Sequence, residues 1–162
     1  MHTATPALCT LFDAELLRDL SGAEHPPAVT VGQEGVDVVA GLIRDEQGRY
    51  LITRRRQGTH LEGLWEFPGG KREPDETLEQ SLQRELHEEL GALFVVGELV
   101  ETVRWAYPEK TVVLSFFRCR LEAGIIEPRE GQLMQWVPPA DLRRYDFPPA
   151  DEALLARLAS AG

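Results

Sequence analysis

Apolar and polar residues change rhythm several times along the chain. Leu16, Leu17 and Leu20 fall on one side of a short amphipathic helix predicted over Asp13–Leu20, capped by Asp13 and broken by Ser21 to Pro27. From Val36 to Ile43 β-branched residues dominate and predict a strand. Asp45-Glu46-Gln47-Gly48 makes a turn, and Tyr50–Thr53 returns as a second strand. Residues 58–70 read as a loop ending in Gly69-Gly70. A helix is expected from about Glu76, with Pro74 before it and Gly91 after it. Val95–Ala106 and Thr111–Leu121 read as a strand pair around the turn Tyr107–Lys110. Trp136-Val137 reads as a short strand, Pro139–Arg143 as a helical turn, and Pro149–Ala159 as a closing helix with Leu154, Leu155 and Leu158 inward. Strands with two main helices predict an α+β or α/β sandwich. Residues 1–33 form an N-terminal extension, either a tail or packed helix or else a lid or dimer contact; residues 34–162 form one domain.

The helix after Glu76 breaks the ordinary division of a helix into wet and dry sides. At about 100° per residue, Glu85 and Glu89 share a face with Leu78, Leu82 and Leu86, while Gln80, Gln83 and His87 face away. Acids on an apolar stripe are costly unless paired. Arg84 can reach Glu88 at i, i+4, yet one arginine cannot neutralise Glu85, Glu88 and Glu89 together. A hard divalent cation, which prefers oxygen ligands, is the natural partner; a solvated charged helix is the plainer alternative.

Composition narrows the field. With 162 residues and 43% hydrophobic content the chain is long enough for one real core. A formal charge of −10 argues against stable nucleic-acid binding, so a polyphosphate substrate has to be attracted locally by cations and a few arginines. Cys9 and Cys119 show no metal-site spacing and suggest no disulfide framework, which fits a reduced cytoplasm. The N-terminus lacks a leader pattern, and no stretch approaches transmembrane length, so no membrane role is expected.

Gly70, Glu76, Arg84, Glu85, Leu86, Glu88, Glu89 and Gly91 stand at the offsets of the Nudix box, and on these eight identities the chain resembles the Nudix hydrolase family. Only Ala92 departs, at a packing position where a larger aliphatic is common. The resemblance implies an α/β/α sandwich with a mixed sheet between the box helix and a C-terminal helix. It implies Mg2+ or Mn2+ held by Glu85, Glu88 and Glu89 with the Gly69 carbonyl. Glu85 and Glu130 are both candidates for the general base. Arg84 is expected to act by holding a ligand glutamate, and Glu76 by orienting the loop.

Four further segments resemble the MutT-like, 8-oxo-dGTP diphosphatase subfamily: Ile52–Arg55, Trp65–Lys71, Glu130–Gln132 and Phe147–Asp151. The resemblance makes Glu130 an additional metal ligand, Arg55 a phosphate contact, and Asp151 the reader of the base. Tyr107 and Phe67 are expected beside the base, with core packing an equal account of Phe67. The bacterial prototype has asparagine where Asp151 stands, and an ionised aspartate only accepts hydrogen bonds. Three enzyme readings follow: nucleotide-pool sanitation, a CTP or modified-cytidine pyrophosphohydrolase, and an ADP-ribose or nucleotide-sugar pyrophosphatase. A non-catalytic nucleotide sensor is the reading from another class, and the complete set of box acids disfavours it. A monomer and a homodimer are both open.

Overall fold

The computed structural model describes residues 35–54, 57, 63–106, 108 and 110–161. Cys9, the helix expected over residues 13–20, Arg55, Arg56 and Tyr107 lie outside them. Strand β1 (Gly35–Ile43) is continuous and apolar because both of its faces are covered. Val38, Ala40 and Leu42 enter one core, and Val39 and Ile43 enter the other. This two-residue alternation makes β1 the partition between two hydrophobic layers.

Seven strands are formed by the described residues: β1, β2 (Tyr50–Arg54), β3 (Trp65–Glu66), β4 (Gly69–Lys71), β5 (Leu93–Ala106), β6 (Thr111–Ala123) and β7 (Leu133–Val137). They make a mixed sheet in the order β4-β1-β6-β5 and an antiparallel one in the order β3-β2-β7. β1 and β6 run parallel, with Gly35 opposite Thr111 and Ile43 opposite Cys119. The expected sandwich is present, with its strands divided between two sheets.

Helix α1 (Leu78–Leu90) covers one side, burying Leu82, Leu86 and Leu90 against Val39, Ile43, Leu51 and Phe117. Each such leucine stabilises by roughly 1.5–3 kcal/mol. Helix α2 (Glu152–Ala161) covers the other side through Leu154, Leu155 and Leu158. No described helix is long and apolar enough to cross a membrane.

Several boundaries differ from expectation, four of them for a clear local reason. α1 begins after Thr77 rather than at Glu76: Thr77 accepts from the Gln80 amide while the Gln80 side chain accepts from the Thr77 amide. The segment read as a loop contains β3 and β4, which pair through backbone alone, Gly69 to Lys71 lying against Ala40 to Val38. β7 starts at Leu133, three residues early, because Leu133–Gln135 pair with β2 although Leu133 is exposed. The closing helix is preceded by a separate 3-10 turn, Pro149–Asp151, which sets Asp151 inward.

Candidate active site

α1 presents its acids in two settings. Glu85 and Glu89 are buried, 2% and 8% exposed, whereas Glu88 faces solvent. The stripe geometry therefore holds: the two acids in register with Leu82 and Leu86 point inward. Burial pushes the Glu85 carboxyl up to about 7; the adjacent Arg84 opposes this, and Glu88 and Glu130 add to it. Burial also raises Glu89 well above the ordinary carboxylate range, with Glu85, Glu66 and Glu130 contributing repulsion. A backbone hydrogen bond from Gly69 to the Glu89 carboxylate partly offsets that.

β4 presses on these acids from the sheet side. A Cβ on Gly70 would stand 2.2 Å from Cδ of Glu85, and one on Gly69 would fall 1.9 Å from the Val39 carbonyl oxygen. Both positions therefore demand glycine for closeness, with ordinary backbone torsions. At the other end of α1, Gly91 takes φ 74° as the left-handed cap, and a Cβ there would meet Arg129 Nε at 2.4 Å.

Arg84 ties the cluster to the preceding loop. Its Nε donates to Glu76 Oε2 at 2.5 Å and its Nη2 to Glu76 Oε1 at 3.0 Å, a two-point grip. Nη2 also donates to the Lys71 carbonyl at 3.1 Å, and Nη1 to Glu85 Oε2 at 3.1 Å and Glu88 Oε2 at 3.4 Å. Glu76 Oε1 in turn accepts from the Glu73 amide at 3.0 Å. Glu76 thus organises the loop, and Arg84 steadies Glu85 from one side.

Glu130 comes from a distant segment that docks on the last turn of α1. The Arg129 amide donates to the Glu89 carbonyl at 2.9 Å, and Gln132 Nε2 donates to the same oxygen at 3.1 Å. Gln132 Oε1 accepts from the Glu130 amide at 2.9 Å. These bonds bring the exposed Glu130 close enough to repel both Glu85 and Glu89.

Among the described residues no three His, Cys, Asp or Glu side chains form a ready-made metal cage. The donor set nevertheless fits a hard divalent cation. Glu85 Oε1 is buried with no hydrogen-bond partner, and Glu85, Glu89, Glu88 and Glu130 together carry more negative charge than Arg84 offsets.

On the opposite face of β4 lies a partly open pocket whose apolar walls include Val38, Ala40, Phe67, Leu114 and Phe116. Asp151 forms its polar end, 4% exposed, with Oδ1 buried and unpartnered. Burial alone pushes its carboxyl up to about 7, so it is largely protonated in mildly acidic solution and holds donor and acceptor together. Gly69 and Gly70 line this pocket, and on the acid side Gly70 packs on Glu85 while Gly69 hydrogen-bonds to Glu89. The two halves of the site share one wall.

Phe67 lines the pocket and packs in the core against Phe116 and Phe147 at ring separations of 6.1 and 5.3 Å. Arg54, the described member of the arginine run, lies with its guanidinium 5.9 Å from the Trp65 ring centre. Arg55 and Tyr107 lie outside the described residues, so their placement at the site remains an expectation. Sequence reasoning passed over Glu66. It lines the pocket with Asp151 and repels Glu89, and its signal was an acid set between two aromatic residues that both turn toward the core.

This fold and its acid-bearing helix are those of the NUDIX domain, whose family pattern matches residues 39–157, and the chain belongs to that family. Nudix hydrolases generally need divalent metal ions. The chain is 42% identical to the Haemophilus influenzae 8-oxo-dGTP diphosphatase over 125 residues, covering 76% of this chain and 90% of the relative. It is 37% identical to the Escherichia coli CTP pyrophosphohydrolase over 120 residues, covering 74% and 88%. The crystal structure of a MutT protein from Methanosarcina mazei superposes with a TM-score of 0.68 at 27% identity, covering 82% of this chain and 98% of the other.

Proposed function

We propose that the protein is a divalent-metal-dependent pyrophosphohydrolase that converts an oxidised nucleoside triphosphate, such as 8-oxo-dGTP, to the monophosphate and pyrophosphate. The observation that carries this reading is the shared β4 wall. It sets an unpartnered Asp151 carboxyl in an apolar pocket on one side and buried acids on the other. A nucleotide has a base for the first and phosphates for the second. The similarity to the H. influenzae diphosphatase supports the same substrate class.

Glu85, Glu88, Glu89 and Glu130, with the Gly69 carbonyl, are the residues that would hold Mg2+ or Mn2+. Bound there, the metal would neutralise phosphate charge and lower the pKa of a water. Glu85 and Glu130 are both candidates to take a water's proton, a reading supported by the charge of each acting on Glu89. Arg84 positions Glu85 rather than meeting substrate, Arg55 takes a phosphate oxygen, and Phe67, Tyr107 and Asp151 receive the base. The catalytic domain spans residues 34–162 with residues 1–33 as an extension. The enzyme works in the cytoplasm as a monomer or homodimer, without stable nucleic-acid binding.

A second reading has its own support: a cytidine triphosphate offers an exocyclic amino donor to an ionised Asp151, and one relative is a CTP pyrophosphohydrolase. Pyrophosphate release with Mg2+ from dGTP, 8-oxo-dGTP, CTP, 5-methyl-dCTP and ADP-ribose separates the readings. A large kcat/KM preference for 8-oxo-dGTP over dGTP supports sanitation, and a cytidine preference supports the alternative. Release from none of the common or oxidised triphosphates sinks both.

A further inference from the structure

Glu130 is exposed, and its charge repels the buried Glu85 and Glu89, so left to itself it would turn away into solvent. It belongs to residues 124–132, which lie between β6 and β7 and outside every strand and helix. We infer that Gln132 is a positioning residue, whose side-chain amide fastens the Glu130 turn to the last turn of α1 and so keeps Glu130 beside the buried acids. The inference rests on the metal-dependent reading above, in which Glu130 is a ligand.

A helix ends in carbonyls that have no partner inside it, and α1 gives two of them to this segment. The Leu90 carbonyl accepts from the Glu127 amide at 2.9 Å, and the Glu89 carbonyl accepts from the Arg129 amide at 2.9 Å. Both bonds lie before Glu130 in the chain. After it the backbone reverses: the Gly131 amide donates to the Pro128 carbonyl at 3.3 Å, and Gly131 takes φ 78°, which glycine adopts without strain. Gln132 then closes the turn from its far side. Its Nε2 donates to the Glu89 carbonyl at 3.1 Å, and its Oε1 accepts from the Glu130 amide at 2.9 Å. A primary amide has the donor and the acceptor that this bridge needs together; an ionised carboxylate or a hydrocarbon does not. Glu130 is thus held between Arg129 on one side and Gln132 on the other. Both anchors meet on the carbonyl of Glu89, the residue whose carboxylate feels the Glu130 charge. The Gln132 anchor is made by a side chain, so substitution can remove it and leave the backbone bonds in place.

The test measures Mn2+ affinity, read from the electron spin resonance signal of free Mn2+, in the wild type, Gln132→Met, Gln132→Asn and Glu130→Gln. Each Gln132 variant is also made in the Glu130→Gln background. Methionine keeps the length of the side chain and removes both bonds, whereas asparagine keeps the amide one carbon short. Loss of a group that orients a metal ligand weakens affinity by roughly ten- to hundredfold. Gln132→Met should fall within that range, Gln132→Asn should fall less, and Glu130→Gln should fall at least as far as Gln132→Met. With Glu130→Gln already present, Gln132→Met should cost nothing more, because Gln132 acts through Glu130. Should Gln132→Met not fold, Gln132→Asn in the same two backgrounds gives the same reading. An unchanged affinity in the Gln132 variants or in Glu130→Gln overturns the inference while the proposed function stands. So does an equal loss with and without Glu130, which would assign Gln132 to Glu89 or to the fold at large. A wild type that neither binds Mn2+ nor releases pyrophosphate from any triphosphate overturns the function and this inference with it.

Discussion

Gly70 and Glu85 are in such close contact that there is no room for a methyl group between them: a Cβ would stand 2.2 Å from the carboxylate carbon and 2.4 Å from Oε1. The buried wall of the acid cluster is therefore backbone. All three of the nearest atoms belong to the end of the Glu85 side chain, so a methyl group there has to move that carboxylate out of its buried setting, 2% exposed. Gly70→Ala should displace the carboxylate, lower Tm by several degrees and reduce turnover by orders of magnitude. Thermal melts alongside pyrophosphate release check it, and wild-type activity would mean that Glu85 has more freedom than its packing shows.

The acids of α1 oppose folding when nothing neutralises them, since Glu85 and Glu89 are buried and repel each other, and the exposed Glu130 adds to the repulsion on both. Adding millimolar Mg2+ or Mn2+ should raise Tm, and a chelator should reverse the rise. Glu89→Gln should melt higher than the wild type without metal and gain less from its addition. A metal-independent Tm in both proteins would assign the cluster a structural role.

Glu88 is the exposed member of the three box acids, so its removal separates chemistry from stability. Glu88→Gln should leave the unfolding free energy within about 0.5 kcal/mol of the wild type. Its rate should fall by orders of magnitude, through loss of a charged ligand. Retained full activity would remove Glu88 from the metal site.

Arg84 holds Glu76 through a planar fork that lysine cannot reproduce. Arg84→Lys should destabilise by about 1–3 kcal/mol near neutral pH. The hydrogen bond from Arg84 is the main cause that lowers the Glu76 pKa below its ordinary 4.5. A carboxyl with a lowered folded pKa contributes stability above its unfolded value and loses it as pH falls through the folded one. The gap between variant and wild type should therefore be full above about pH 5 and close below 4.5, as read by denaturant unfolding. A gap independent of pH would mean the loss is one of packing.

Asp151 has the opposite sign. Burial raises its carboxyl from 3.8 to about 7, so the folded state binds the proton more tightly than the unfolded chain. That contribution is fully present below pH 3.8 and is lost as pH climbs to about 7. Asp151→Asn should thus melt close to wild type at pH 4 and above it at pH 8. It should also alter base preference more than the rate on the favoured substrate. Equal Tm differences at both pH values would show that the carboxyl is solvated.

The sequence by itself determined what depends on local period and fixed spacing. The leucines and acids of α1 share a stripe because helical geometry puts them there, and the burial of Glu85 and Glu89 follows the same count. The apolar runs located β1, β2, β5, β6 and the closing helix for a similar reason. Tertiary structure decided the rest. β3 and β4 exist only because β2 and β1 offer backbone partners, and two glycines carry no periodic signal of pairing. The parallel register of β1 with β6 joins segments far apart in the chain, and packing on both faces sets it rather than any residue in either strand. Glu130 reaches the acids through the hold of Arg129 and Gln132 on the Glu89 carbonyl, a non-local contact. Glu66 was passed over for the same reason: its importance lies in which two surfaces meet beside it, and those surfaces come together only when the sheet and both helices close.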